Sequence, residues 1–142
     1  MTLEAALNHV GVSNPIQQAW TNTRTNNVEW GGWILHRNGN YSARIKTDGQ
    51  HSSIFLTRAQ DTGPLINAGY RIIADFHCHP GTNVASGRPS DADIENGLHL
   101  PYGRLVFTYD TNHLYDNALY RHANPRPTPN WFAADAIMWQ LR

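Results

Sequence analysis

The sequence contains very little cysteine: Cys78 is the only one in 142 residues. A lone cysteine cannot form an internal disulfide or a cysteine-rich structural zinc site. The sequence also lacks an excess of charge of either sign, because eleven Lys and Arg residues balance eleven Asp and Glu residues. Such a chain has no overall field that would attract nucleic acid or an anionic membrane, so we expect neither as a partner.

Long hydrophobic runs are absent as well. No stretch of about eighteen apolar residues occurs, and the opening residues MTLEAALNHV lack the basic-then-apolar layout of a signal peptide. We therefore expect a soluble chain, which could be a domain of a larger secreted or delivered protein. Hydrophobic residues make up 40% of the sequence and charged residues 15%, as in ordinary folded domains. The length predicts a single domain over residues 1–142.

Hydrophobic spacing predicts two helices at the start of the chain and a hairpin after them. Residues 2–11 have helical spacing closed by Gly11, and a second helix is predicted from Ser13 or Asn14 to about Thr23. The pair Asn38-Gly39 lies between β-favouring residues and is a strong signal for a hairpin turn. Antiparallel strands are therefore predicted at 28–36 and 41–46.

The rest of the chain reads as further strands and two more helices. Strands are predicted at 54–57, 70–77, 104–109 and 113–121, and helices after Ser90 and within the last residues, WFAADAIMWQLR. The predicted fold class is α+β, an α/β/α sandwich in which helices flank a mixed, mostly antiparallel sheet.

A histidine pair at the end of a predicted strand indicates a metal site. His77 and His79 are two residues apart, so in extended backbone both side chains leave the same face of the strand. A zinc site also needs a third ligand, and Asp91 and Asp93 are the nearest carboxylates. A helix that starts after Ser90 would turn Asp93 back toward the strand end.

Asp93 and Glu29 each allow both a structural and a chemical interpretation. Ser90 and Asp93 have the spacing of a helix capping box, in which each side chain satisfies a free amide of the other residue. A cap of this kind also fixes the direction of the carboxylate, so the two interpretations are compatible. Glu29 lies in an otherwise apolar predicted strand, where it is either solvent-facing or a buried general base.

Other catalytic signatures fit the sequence less well. Zinc deaminases need H-x-E followed by P-C-x-x-C, which one cysteine cannot provide, and no H-E-x-x-H occurs. The chain is too short for the (β/α)₈ barrel of amidohydrolases. Cys78 lies between the two histidines, so it is predicted to point to the opposite face, into the core, which disfavours a thiol nucleophile.

Taken together, these residues resemble the JAMM motif of the JAB/MPN metalloprotease family. That motif is a strand glutamate followed by H-x-H-P and S-x-x-D, matched here by Glu29, by His77-Cys78-His79-Pro80 and by Ser90-Asp91-Ala92-Asp93. The resemblance covers roughly residues 15–121. Nine residues separate Pro80 from Ser90, whereas the usual pattern has seven. The flanking sequences are similar, more loosely, to JAB-like domains at the C-terminal tips of bacterial polymorphic toxins.

The resemblance implies a zinc-dependent hydrolase that cleaves peptide or isopeptide bonds. By the family pattern, His77, His79 and Asp93 would hold Zn²⁺, Glu29 would act as the general base, and Ser90 would donate a hydrogen bond to the oxyanion. The implied partner is a protein or peptide substrate, for which ubiquitin-like tails are the family's precedent. The alternative expectation is a non-catalytic JAB/MPN-like interaction module, since some members have lost their ligands.

Overall fold

One six-stranded sheet organises the part of the chain that the structure, a computed structural model, describes: residues 2–80, 90–109, 123–126 and 136–141. The elements in chain order are α1 (Leu3–Leu7), α2 (Val10–Asn26), β1 (Trp30–Arg37), β2 (Asn40–Thr47), α3 (Ala59–Asn67), β3 (Arg71–Cys78), α4 (Asp91–Leu98), β4 (Gly103–Tyr109), β5 (Ala123–Arg126) and β6 (Ala136–Leu141). The strand order is β2-β1-β3-β4-β6-β5. Among the described strands only β3 and β4 pair in parallel, which confirms an α+β fold with a mixed, mostly antiparallel sheet.

The β1–β2 hairpin forms where the sequence predicts it. Its two-residue turn consists of Asn38 and Gly39, with φ values of 53° and 80°. Positive φ at both central residues is the type I′ arrangement, which matches the twist of the flanking strands. The turn sets the register, which runs from Arg37 opposite Asn40 to Trp30 opposite Thr47.

Helices cover both faces of this sheet. On one face α2 contributes Val12 and Ile16 to a buried cluster that also holds Phe76 of β3 and Leu105 of β4. On the other face Leu65 of α3 belongs to a second cluster with Trp33, Leu35 and Leu56. The predicted layer order of helix, sheet and helix is therefore present.

The first two helices differ from the prediction at their boundaries. α1 ends at Leu7, and α2 begins at Val10 with the His9 side chain accepting a hydrogen bond from the Gly11 amide at 3.1 Å. Gly11 therefore lies in the first turn of α2 and does not close α1. α2 continues past Thr23 to Asn26, where Asn27 adopts the left-handed conformation that commonly ends a helix.

The prediction of a closing helix is wrong over residues 136–141, which form β6 between β4 and β5. Met138 packs into the α2-side cluster, while the Trp139 Nε1–H donates to Thr108 Oγ1 at 2.9 Å. A strand buried on both faces carries apolar residues at successive positions, and over a short run this cannot be distinguished from a buried helix by periodicity.

The region before β3 also departs from the prediction. Residues 54–57 form no strand, and the unpredicted helix α3 follows them despite containing Gly63 and Pro64. Burial of Leu65 against the sheet outweighs the poor helix propensity of that pair. The predicted strand at 113–121 lies outside the described residues. β5 includes Pro125 at the edge of the described sheet, where a residue without an amide proton is tolerated.

Candidate metal centre

The candidate site lies where β1 begins and β3 ends. These strands are antiparallel, with Trp30 opposite Cys78 and Gly31 opposite His77. Glu29 immediately precedes β1, and its backbone is held on both sides: its amide donates to Gln50 O at 2.8 Å, and its carbonyl accepts from Thr47 Oγ1 at 2.7 Å. The Glu29 side chain is thereby placed next to the end of β3.

The two histidines project together, as their spacing predicts. His77 is the penultimate residue of β3. The His79 amide extends the β3–β4 pairing by donating a hydrogen bond to Phe107 O of β4 at 2.9 Å. The two Nε2 atoms are 3.1 Å apart, and both residues are buried, 2% and 7% exposed. Two nitrogen lone pairs this close need a proton or a cation between them.

Asp93 reaches the histidines from the first turn of α4. The capping box is present: Ser90 Oγ accepts from the Asp93 amide at 3.1 Å, and Asp93 Oδ2 accepts from the Ser90 amide at 2.8 Å. The same carboxylate lies 3.1 Å from His77 Nε2 through Oδ1 and 3.2 Å from His79 Nε2 through Oδ2. Capping and contact with the histidines therefore occur together.

The spacing of these atoms fits a metal ion. Ligands 2.0–2.1 Å from a tetrahedral ion are about 3.3 Å from one another, and the contacts among His77, His79 and Asp93 are 3.1–3.2 Å. Glu29 Oε1 lies farther away, 3.8 Å from His77 Nε2. Ligand atoms of Glu29, His77 and His79 all lie within 4.8 Å of one another, so this buried group could hold a metal ion.

Electrostatics at the site favour a positive charge among the side chains. Burial by itself would lower the pKa of His77, but Asp93 and Glu29 outweigh that effect and raise it. Burial by itself would raise the pKa of Asp93, but the two histidines hold that pKa far below its usual range. Burial raises the pKa of Glu29, and the histidines only reduce the rise. Glu29 is thus the carboxylate better suited to accept a proton.

Two ring nitrogens at the site lack a hydrogen-bond partner among the described residues. They are Nδ1 of His77 and Nδ1 of His79, and both are buried. Metal-binding histidines usually donate from the second ring nitrogen to an acceptor that orients the ring. Here the contacts that orient the rings are made on the Nε2 side, with Asp93.

Cys78 points away from the histidines, as predicted. Its side chain is fully buried in the α2-side cluster, and burial raises the pKa of the thiol above its ordinary value. A thiol kept protonated in the core cannot act as the nucleophile at this site. The side chain of Asp91, the other carboxylate considered from the sequence, is outside what the structure describes.

Sequence reasoning missed a buried ion pair beside the site. Asp75 and Arg104 are opposite each other on β3 and β4, and two hydrogen bonds of 2.8 Å join the guanidinium to the carboxylate. Asp75 is fully buried and precedes His77 by two positions on the same strand. An acidic residue inside the apolar run RIIADFHC was a signal that a partner exists, but the identity of that partner depends on the β3–β4 register.

Gly31 is the second missed residue, because it allows β1 to lie against His77. A Cβ atom at Gly31 would lie 2.3 Å from Phe76 O and 2.9 Å from His77 Cβ. We expect Gly31→Ala to destabilise the protein by about 1–3 kcal/mol, since backbone must shift to admit the methyl group. Urea unfolding measures this change.

Gly63→Ala is the matched control for that variant. Gly63 lies within α3, and a Cβ atom there would have no neighbour within 4 Å. The same substitution should stabilise this helix by roughly 0.5–1 kcal/mol. Equal stability of the two variants would contradict the close packing at Gly31.

Comparisons with known proteins add little to this geometry. No protein-family model matches the chain, and no curated protein matches it. The solution structure of protein DSY2949 from Desulfitobacterium hafniense is similar, with 18% identity, a TM-score of 0.46, and coverage of 68% of this chain and 72% of that one. A likeness this weak supports no inference about function. No helix among the described residues is long and apolar enough to cross a bilayer.

Proposed function

We propose that this chain is a zinc-dependent hydrolase that cleaves peptide or isopeptide bonds. The observation that carries the proposal is the convergence of His77, His79 and Asp93, with the buried carboxylate of Glu29 next to them. Two imidazoles and one carboxylate are a donor set that zinc hydrolases use, with a fourth position left for water or substrate. The family resemblance of these same residues points to the same chemistry.

His77, His79 and Asp93 would hold the zinc ion. When bound, zinc supplies Lewis acidity, which polarises a carbonyl group and makes water a stronger acid. The capping hydrogen bonds of Asp93 restrict its side chain before any ion arrives, so less conformational entropy is lost on binding.

Glu29 would move the proton during hydrolysis. Its carboxylate accepts a proton from the attacking water and passes it to the amine that leaves, so that the acyl group gains hydroxide and the amine gains hydrogen. The raised pKa of Glu29, a consequence of burial, suits a group that must hold this proton for part of the cycle. The Ser90 hydroxyl accepts one hydrogen bond from the Asp93 amide, which leaves its own hydrogen free to donate to the oxyanion.

Metal content and hydrolysis together test this function. Untagged protein incubated with zinc and then dialysed should contain about one zinc ion per chain. The loaded protein should hydrolyse peptide or isopeptide-linked substrates, and activity should disappear with a chelator and return with zinc. A His77→Ala, His79→Ala double variant should retain its fold and bind no zinc.

The matched control is a His36→Ala, His99→Ala double variant. His36 is opposite Arg71 at the far end of the β1–β3 pair, and His99 caps the C-terminal end of α4, so zinc content should equal that of the parent protein. Absence of zinc from the folded parent protein, even with excess metal, would rule out the metalloenzyme. Bound zinc without hydrolysis of any substrate in a broad screen would favour the interaction module.

A further inference from the structure

A groove of about 490 Å³ lies along β2 on the face of the sheet that carries α3. Trp33 and Leu65 form its apolar part, and its rim includes Arg44 and Lys46 of β2 and Arg58 at the start of α3. The volume is within the range of specific ligand pockets. β2 is also an edge strand of the described sheet, so the groove is open along one side.

The groove is on the same face of the sheet as the candidate metal centre. Lys46 is opposite Gly31 in the β1–β2 pair, and Gly31 is opposite His77 in the β1–β3 pair. The three residues therefore form one row across the strands, with no side chain at its middle position. Two strand spacings place the backbone of Lys46 roughly 10 Å from that of His77, and Arg44 lies two residues farther along β2.

The basic residues of the groove differ in whether a carboxylate lies close to them. Lys46 Nζ contacts Asp48 at 2.8 Å and Asp61 at 3.4 Å, which pairs both carboxylates of the lining with one ammonium group. Among the described residues, Arg44 and Arg58 have no carboxylate oxygen within 4.0 Å. Arg58 acts on Asp48 only through longer-range electrostatic attraction. The lining thus presents two guanidinium groups that lack a close anionic partner within the described part of the chain.

Both arginines are exposed and lie near aromatic rings. The Arg58 guanidinium is 3.9 Å from the centroid of Phe55, and that of Arg44 is 5.5 Å from the centroid of Tyr70. Stacking on a ring leaves the edge of a guanidinium free to bind a carboxylate through two hydrogen bonds. Phe55 is half exposed, so it offers apolar surface beside Arg58.

We propose that this groove binds an acidic segment of an extended polypeptide substrate, several residues from the bond that is cleaved. The inference rests on the proposed function and specifies its substrate class. Glutamate or aspartate side chains of the substrate pair with Arg44 and Arg58, while its apolar groups contact the half-exposed ring of Phe55. Basic segments are rejected because they meet like charge.

Binding of two labelled octapeptides tests the groove. One peptide carries glutamate at alternate positions among glycine and serine, and the other carries lysine at the same positions. Fluorescence anisotropy is measured at low salt with zinc-loaded Glu29→Gln protein, because this substitution prevents turnover. The glutamate peptide should bind at least tenfold more tightly than the lysine peptide.

Charge-altered variants locate the preference. Arg44→Glu, Arg58→Glu should abolish or reverse it, and Arg44→Gln, Arg58→Gln should reduce it without introducing repulsion. Arg71→Glu is the matched control, an exposed arginine at the opposite end of β3 from His77, and should retain the preference. Equal binding of the two peptides, binding of neither, or a preference that survives Arg44→Glu, Arg58→Glu would overturn the proposal.

This binding assay measures no turnover, so it can be carried out on zinc-treated protein whether or not hydrolysis is detected. If the protein hydrolyses nothing but still prefers the glutamate peptide, the proposed enzymatic activity would be excluded and the acidic-peptide site would be supported. Zinc-dependent hydrolysis without any preference would remove the groove and leave the enzyme.

Discussion

Glu29→Gln is expected to lower hydrolysis by about 10²–10⁴-fold while leaving bound zinc at the level of the parent protein. The amide of glutamine has nearly the same shape as the carboxylate but cannot accept the proton of the attacking water. Glu29 Oε1 is 3.8 Å from His77 Nε2, farther from the histidines than either Asp93 oxygen, so the loss of its charge should spare the ligand set. Turnover and zinc content are measured on the same preparation.

Glu95→Gln provides the control for that substitution. Glu95 is exposed on α4, near the site in sequence, and loses the same charge. Its hydrolysis rate should equal that of the parent protein. Loss of zinc from folded Glu29→Gln protein would indicate that Glu29 is a zinc ligand. Unchanged hydrolysis would exclude Glu29 as the general base.

Asp75→Ala should destabilise the protein by about 3–5 kcal/mol. The substitution leaves the Arg104 guanidinium, 6% exposed, without the carboxylate that accepts two of its hydrogen bonds. Breaking a buried pair costs this much because one charge remains unpaired in a poorly solvated position. The double variant Asp75→Leu, Arg104→Met removes both charges and should recover most of the loss.

Urea unfolding at neutral pH measures these differences. Asp61→Ala is the comparison, because its carboxylate is 26% exposed and lies 3.4 Å from Lys46. Partly exposed pairs contribute about 0–1 kcal/mol, so this variant should remain close to the parent protein. A loss at Asp75 no greater than that at Asp61 would contradict the buried-pair account.

The elements that the sequence predicts correctly are those with local causes. Asn38-Gly39 specifies its own turn, and Ser90 with Asp93 specifies the start of α4. β6 has no such local cause, because it depends on pairing with β4 and β5, and its adjacent residues Met138 and Trp139 are buried on opposite faces of the sheet. α3 likewise depends on packing of Leu65 against the sheet, which no spacing within the helix reveals.

The same distinction applies to the candidate site. His77 and His79 share a face because alternate residues of any strand do, and the capping box fixes the direction of the Asp93 carboxylate at the start of α4. Glu29 lies beside His77 through the β1–β3 register. The need for glycine at position 31 and the choice of Arg104 as the partner of Asp75 follow from register as well. Pairing between distant strands is what one sequence does not display.

The two roles of Asp93 restrict which residue can occupy its position. A histidine at position 93 could also bind zinc. Its imidazole could not replace the carboxylate oxygen that accepts a hydrogen bond from the Ser90 amide at 2.8 Å. Glutamate keeps the charge but adds a methylene group, which would displace the carboxylate from one contact or the other. Saturation mutagenesis at position 93 should therefore recover aspartate when selection requires metal binding and helix formation together, whereas either requirement alone would admit several residues.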